Sequence, residues 1–169
     1  FLRSGDRRCF DFAVAMAEHR RDVDQMHYHD EHAAFVGGVH RHHMTEHWTG
    51  LIDGGHLWCD GTIDHWYLLG ERRSYECAAL AGDFAIRCGL PWVVRYADTS
   101  RETNNCLRVL ARVYEMTGDR KFAEAADAIA RGYLCCFDED GAQRRHQIGG
   151  HQRDAFRIAH QRLQRGPLR

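Results

Sequence analysis

Apolar positions recur along this chain at helical spacing, and the clearest stripes each follow a short polar turn that opens with glycine. Three such turns occur: Gly5-Asp6-Arg7-Arg8, Gly70-Glu71-Arg72-Arg73 and Gly118-Asp119-Arg120-Lys121. An aromatic residue follows each glycine by four or five positions (Phe10, Tyr75, Phe122), and an alanine-rich amphipathic stretch comes next, over 12–17, 78–81 and 123–130. The second and third turns are preceded by the aromatic-rich runs Trp66-Tyr67-Leu68-Leu69 and Tyr114-Glu115-Met116-Thr117. Glycine after an apolar run suits the left-handed residue that closes a helix. An acidic residue just beyond it favours the positive end of the next helix. Each copy therefore predicts a helix–turn–helix hairpin. The glycines at 5, 70 and 118 stand 65 and 48 residues apart. Two helices and two loops need roughly 50 residues, so the first interval must hold an inserted loop.

The third hairpin is the most explicit. Thr99 with Glu102 fits a capping box that opens a helix at about 101. Leu107, Leu110, Ala111, Val113 and Tyr114 then carry the helical period to Gly118, and a return helix is predicted over about 121–134. In the second hairpin a helix of about 60–69 turns at Gly70 and returns over about 74–88, where Pro91 is expected to break it. The first hairpin shows only a return helix, about 7–21, with its partner expected before residue 1. The fold class expected is all-α: consecutive helical hairpins over 1–136, with an insertion at about 22–59. Residues 137–169 are rich in Arg, Gln, His and Gly. Ala155, Phe156, Ile158, Ala159 and Leu163 there could form one weak amphipathic helix. This tail is expected to be disordered or loosely attached.

Composition narrows the classes. Apolar residues make up 44% of the 169, and 23 basic residues face 24 acidic ones. That balance opposes a nucleic-acid partner held by bulk charge and opposes an intrinsically disordered chain. No stretch reaches the roughly 20 apolar residues of a membrane span, and no secretory apolar segment opens the sequence. Its first residues, Phe1-Leu2-Arg3-Ser4-Gly5-Asp6, read like the interior of a protein. The seven cysteines (9, 59, 77, 88, 106, 135, 136) are odd in number and form no CxxC. They are read as thiols, those at 77, 88 and 106 packed in helices as small hydrophobes.

Candidate chemistry concentrates in one block. Nine of the 13 histidines fall between 27 and 65: His27, His29, His32, His40, His42, His43, His47, His56 and His65. Trp48, Trp58 and Trp66 are interleaved with them, as are Glu46, Asp53, Asp60 and Asp64. Glycines at 37, 38, 50, 54, 55 and 61 suggest a loop held over a rigid helical scaffold, where binding residues tend to sit. Tryptophan faces suit the apolar faces of sugar rings, and the polar groups between them suit hydroxyls.

Two segments carry a family resemblance. The run His43-Met44-Thr45-Glu46-His47-Trp48-Thr49-Gly50, followed by Gly61 and then His65-Trp66-Tyr67-Leu68-Leu69-Gly70-Glu71-Arg72, resembles the central helices of six-hairpin (α/α) toroid proteins. So does Leu110-Ala111-Arg112-Val113-Tyr114-Glu115-Met116-Thr117-Gly118-Asp119. That group contains bacterial glycoside hydrolases and polysaccharide lyases, including exo-acting lyases on rhamnogalacturonan-like chains. The likeness covers about 1–135. Toroids of this kind close with about twelve helices, so five or six here would make a partial one.

The resemblance implies a carbohydrate-active protein with a polysaccharide or oligosaccharide ligand, most simply a lyase cleaving an acidic, uronate-containing glycan by β-elimination. Such an elimination needs a base, a group to stabilise the developing enolate and an acid for the leaving oxygen. The residue types on offer are His43 or His47, Tyr67, Arg41 or Arg101, and Asn104 or Asn105. His40, Arg41, His42, Trp48, Trp58, His65, Trp66, Asn104 and Asn105 are expected to bind substrate. A glycoside hydrolase is the alternative, with its two carboxyl groups drawn from Glu46, Asp53, Asp60 and Asp64. No cofactor is expected; a divalent metal would have His43 and His47, at i and i+4, as its candidate ligands. A non-enzymatic α-solenoid presenting a concave face to a partner is the third reading.

Overall fold

The computed structural model describes residues 1–30, 32–39, 52, 54–96 and 101–134. Among these residues five α-helices follow one another: α1 (Arg7–His19), α2 (Asp60–Leu69), α3 (Arg72–Tyr96), α4 (Arg101–Thr117) and α5 (Arg120–Leu134). Among the described residues there is no strand; Gln25 and Val39 form an isolated antiparallel bridge. The chain is all-α, as its periodicity predicts. The expected cap at Thr99 and the tail at 137–169 lie outside the described residues, as do Cys135 and Cys136.

The three glycine turns are built alike. Gly5, Gly70 and Gly118 have φ of 69, 66 and 68°, the left-handed region that glycine enters without strain. Each glycine N–H donates to the carbonyl of an aromatic residue four positions back: Phe1 at 2.7 Å, Trp66 at 2.8 Å and Tyr114 at 2.8 Å. The acidic residue after the glycine then caps the next helix. Asp6 accepts from the Arg8 N–H at 2.9 Å, Glu71 from Arg73 at 3.1 Å and Asp119 from Lys121 at 3.0 Å. One turn further on, Arg7 pairs with Asp11 (2.9 Å), Arg72 with Glu76 (2.8 Å) and Arg120 with Glu124 (3.8 Å). The aromatic before the turn also meets an aromatic nine residues later, edge to face: Phe1 on Phe10 at 4.9 Å and Trp66 on Tyr75 at 5.3 Å. In the third copy that position is Ala123, and the neighbouring Phe122 is buried instead.

α3 is the central helix and packs against α2, α4 and α5. Leu57, Ile63, Phe84, Leu110, Val113, Phe122 and Ile129 form the heart of the core. Burying each large member is worth about 1.5–3 kcal/mol. The repeat also shows in burial. Positions four, seven and eleven beyond the turn glycine are buried in α3 (Ser74, Cys77, Ala81) and in α5 (Phe122, Ala125, Ile129). Their counterparts on α1 are Cys9, Phe12 and Met16, and all three are exposed, Phe12 by 68% and Met16 by 49%.

Two expectations need correcting. α3 starts at Arg72 and runs through Pro91 to Tyr96, so Pro91 does not end it. Proline forfeits the hydrogen bond to the Arg87 carbonyl, yet its fixed φ is itself helical. The intact ladder on either side carries the helix across that gap. Gly61 is not a loop glycine either; it lies in the first turn of α2.

After α1 the backbone widens into a π-helical turn at Arg20–Asp24, closed by Gln25 N–H to the Arg20 carbonyl at 3.2 Å. The chain beyond it is tied to α3. The buried Gln25 amide donates to the Gly37 and Cys77 carbonyls at 3.1 and 2.8 Å, and the Arg87 guanidinium donates to the Ala34 and Val36 carbonyls. Gly37, at φ 90°, lies so close to α3 that a Cβ would fall 2.1 Å from the Leu80 carbonyl oxygen.

Candidate functional site

A cavity of about 780 Å³ lies between α1 and α2, with residues 1–3 and Arg108 of α4 completing its wall. Its apolar side comes from Phe10, Val14, Ala17, Leu68 and Leu69. Its polar side comes from the end of α1 and the start of α2: Arg20, Trp58, Asp60, Asp64 and His65. Two successive arginines of the π-helical turn, Arg20 and Arg21, have different surroundings here.

Arg21 is buried and fully engaged. Its guanidinium forks onto Asp22 at 2.9 and 3.3 Å and reaches Ser74 Oγ at 3.4 Å. The hydrogen bond to Asp22 raises the Arg21 pKa and holds the Asp22 carboxyl below its usual range. Arg20 is different. It donates through Nη2 to the Trp58 carbonyl at 2.8 Å, while its buried Nε has no partner among the described residues. No carboxylate of the described chain lies within ion-pair distance of it. Burial accordingly lowers its pKa, with Asp24 opposing that effect from a distance.

His65 belongs to the same wall. The residue is 7% exposed, and its Nδ1 lies 2.9 Å from Ser74 Oγ. Its Nε2 is buried and has no hydrogen-bond partner among the described residues. Ser74 is wholly buried, which excludes it as a nucleophile in this conformation and makes it the group that orients the imidazole. Trp58 is 41% exposed at the cavity wall, with the His56 ring edge to face at 6.0 Å. Burial pushes the neighbouring Cys59 thiol up to about 12, with Asp60 adding to the shift. A thiol so raised is no nucleophile at neutral pH.

Asp60 and Asp64, the carboxylate pair on α2, share one side of that helix as their spacing predicts. Arg112 of α4 lies 3.5 Å from Asp60 and 3.7 Å from Asp64, and Arg108 lies 3.1 Å from Asp60. Their charges are thus engaged in holding α2 to α4.

The structure brings Trp58, Asp60, Asp64 and His65 to one cavity and disperses other candidates. Trp66 is half-buried against Tyr75, as the aromatic of the glycine turn. Tyr67 is 57% exposed and outside the cavity wall, and Arg101 and Asn104 are exposed on α4. Asn105 donates to the Gly55 carbonyl at 2.9 Å, so the polar start of α4 does adjoin the histidine-rich segment. His40, Arg41, His42, His43, Glu46, His47, Trp48 and Asp53 lie outside the described residues. Among the described residues no cluster of three metal-ligating side chains occurs, and no helix is long and apolar enough to cross a membrane.

Sequence reading overlooked Arg20, Arg21, Ser74, Arg108 and Arg112. Arg20-Arg21-Asp22 reads as an ordinary polar helix end, and nothing in that run tells the two arginines apart. Ser74 carried a usable signal: it is polar at a position that is apolar in the other two copies.

Fold and cavity together define an all-α protein of consecutive helical hairpins with a partly polar cavity at the joint between the first two units. No family model, curated protein or solved structure matches the chain.

Proposed function

We propose that this chain is a carbohydrate-active protein of the partial (α/α) toroid kind. In this reading it is a polysaccharide lyase that cleaves an acidic, uronate-containing glycan by β-elimination. The observation that carries the reading is Trp58, an exposed indole on a cavity wall shared with His65, Asp60 and Arg20. An indole face covers the apolar face of a pyranose, and the polar groups around it serve hydroxyls. The base that takes the proton α to the carboxylate is assigned to His43 or His47. The electron pair released there forms the C4=C5 double bond and expels the glycosidic oxygen, which is protonated as it leaves. Tyr67 and Arg101 have no place on this cavity wall, so the reading leans on the histidine block instead.

Incubation of the full chain with uronate polysaccharides tests this directly. The unsaturated product is expected to appear as ultraviolet absorbance, to be lost in His43→Ala with His47→Ala, and to need more substrate in Trp58→Ala. New reducing ends without that absorbance would make the protein a glycoside hydrolase. A second reading, an α-solenoid interaction module, is favoured by the exposed Cys9, Phe12 and Met16 face of α1. Absence of both products, with capture of a protein partner lost in Phe12→Ser, would support it.

A further inference from the structure

Arg20 is half-buried, and among the described residues its guanidinium is only partly compensated. A guanidinium is always charged and offers five N–H donors. Removing it from water costs several kcal/mol unless an anion and hydrogen bonds compensate. Arg21, one residue later, obtains both from Asp22 and Ser74. Arg20 obtains one backbone carbonyl, from Trp58, and its Nε is left buried and unpartnered among the described residues. Among the described carboxylates only the charge of Asp24 opposes its desolvation. Asp60 and Asp64 face Arg108 and Arg112, and Asp24 lies 3.5 Å from His19 Nε2. Arg20 also lines the cavity, as do Leu68 and Leu69.

We infer that Arg20 is the anchor for the carboxylate of a bound ligand. The ligand's class is a carboxylate-bearing molecule whose body has an apolar face, and a uronate residue meets that description. This deepens the proposed function and rests on that reading for the identity of the ligand. The anion would meet the Nη groups of the guanidinium beside Trp58, to whose carbonyl Nη2 already donates, while Nε is closed off from solvent. Local charge favours it: Arg3, Arg20 and Arg108 line the cavity against Asp60 and Asp64, and Arg112 also serves those two acids. A planar, bidentate donor pair matches a carboxylate far better than it matches a neutral hydroxyl.

Melting curves of the full chain with galacturonate or with glucose, at equal ionic strength, test the inference. Galacturonate is expected to raise the midpoint and glucose to leave it unchanged. Arg20→Met is expected to abolish the galacturonate response, weakening binding at least tenfold, while its own midpoint equals or exceeds that of the parent chain. A merely structural arginine would behave in the opposite way: Arg20→Met would melt lower and the response to galacturonate would survive. Arg20→Lys keeps the charge but not the fork, so it should retain part of the response; a full response in Arg20→Lys and Arg20→Met alike would overturn the assignment. The outcome is separable from the lyase reading. A galacturonate response lost in Arg20→Met without any unsaturated product leaves the anchor standing and removes the lyase. Product formed by Arg20→Met with unchanged substrate dependence removes the anchor alone.

Discussion

Ser74 Oγ stands 2.9 Å from His65 Nδ1, and the pair is buried where α2 meets α3. The hydroxyl also accepts from Arg21 at 3.4 Å, so one small side chain joins the end of α1 to both helices of the second hairpin. Its position is apolar in the other two units, Cys9 in α1 and Phe122 in α5. Ser74→Ala therefore leaves two buried donors or acceptors without a partner and should cost about 1–3 kcal/mol. Ser4→Ala removes only an exposed contact to the Asp6 N–H and should stay within about 0.5 kcal/mol. Urea unfolding of both variants checks the difference, and equal midpoints would refute the bridging role.

Acid should weaken the same corner of the fold. The hydrogen bond from Arg21, with the charge of Arg73 at 3.2 Å, holds the folded Asp22 pKa below its unfolded value. As pH falls, the unfolded chain takes up the proton first, so the stabilisation is complete above about pH 4 and is lost as pH drops through the folded pKa. Asp22 is partly solvated, so the effect is modest. Unfolding midpoints measured between neutral and acid pH should fall less steeply in Asp22→Asn than in the parent chain.

The turns can be tested one at a time. A Cβ on Gly118 would meet nothing within 4 Å, so Gly118→Ala carries only the backbone penalty of φ 68°. That penalty is about 1–2 kcal/mol. Gly118→Asn, which tolerates the left-handed region, should lose less. If both variants melted with the parent, the left-handed closure would not be a stabilising part of the unit.

The hairpins were legible because their signals are local. Glycine, acid and arginine at fixed offsets act through bonds spanning two to four residues, so 60–69, 101–117 and 120–134 could be placed within a residue or so. Pro91 does not break its helix because one lost hydrogen bond is small beside the rest of a 25-residue helix. The cavity was only half legible. Trp58, Asp60, Asp64 and His65 lie together in sequence and remain together in space, whereas Arg20 joins them from 38 residues before Trp58. The π-helical turn on which it stands leaves no composition signature. Phe1, the aromatic of the first turn, stands outside any helix and so belongs to no periodic pattern.

Thiol chemistry offers a check on the burial of that wall. Cys9 is exposed on α1, while Cys59 is buried with its pKa raised to about 12. With alkylating reagent at neutral pH, mapping by mass should show Cys9 modified rapidly and Cys59 only after denaturant is added. Rapid native modification of Cys59 would mean that the start of α2 opens readily.

Equivalent repeat positions should differ most where burial differs. Ile129 in α5 and Met16 in α1 both stand eleven residues beyond their turn glycine, yet Ile129 is 0% exposed and Met16 is 49% exposed. Ile129→Ala removes packed methylenes and leaves a cavity beneath α3, so it should cost about 2–5 kcal/mol. Met16→Ala removes atoms that already contact solvent and should stay within about 0.5 kcal/mol. Helix propensity does not confuse the comparison, because alanine is the best helix former at both positions. The expected asymmetry is therefore a measure of coverage. If Met16→Ala destabilised the chain as much as Ile129→Ala in urea unfolding, the α1 face would be covered in solution, and a second copy of the chain would be sought by comparing the unfolding midpoint at two protein concentrations.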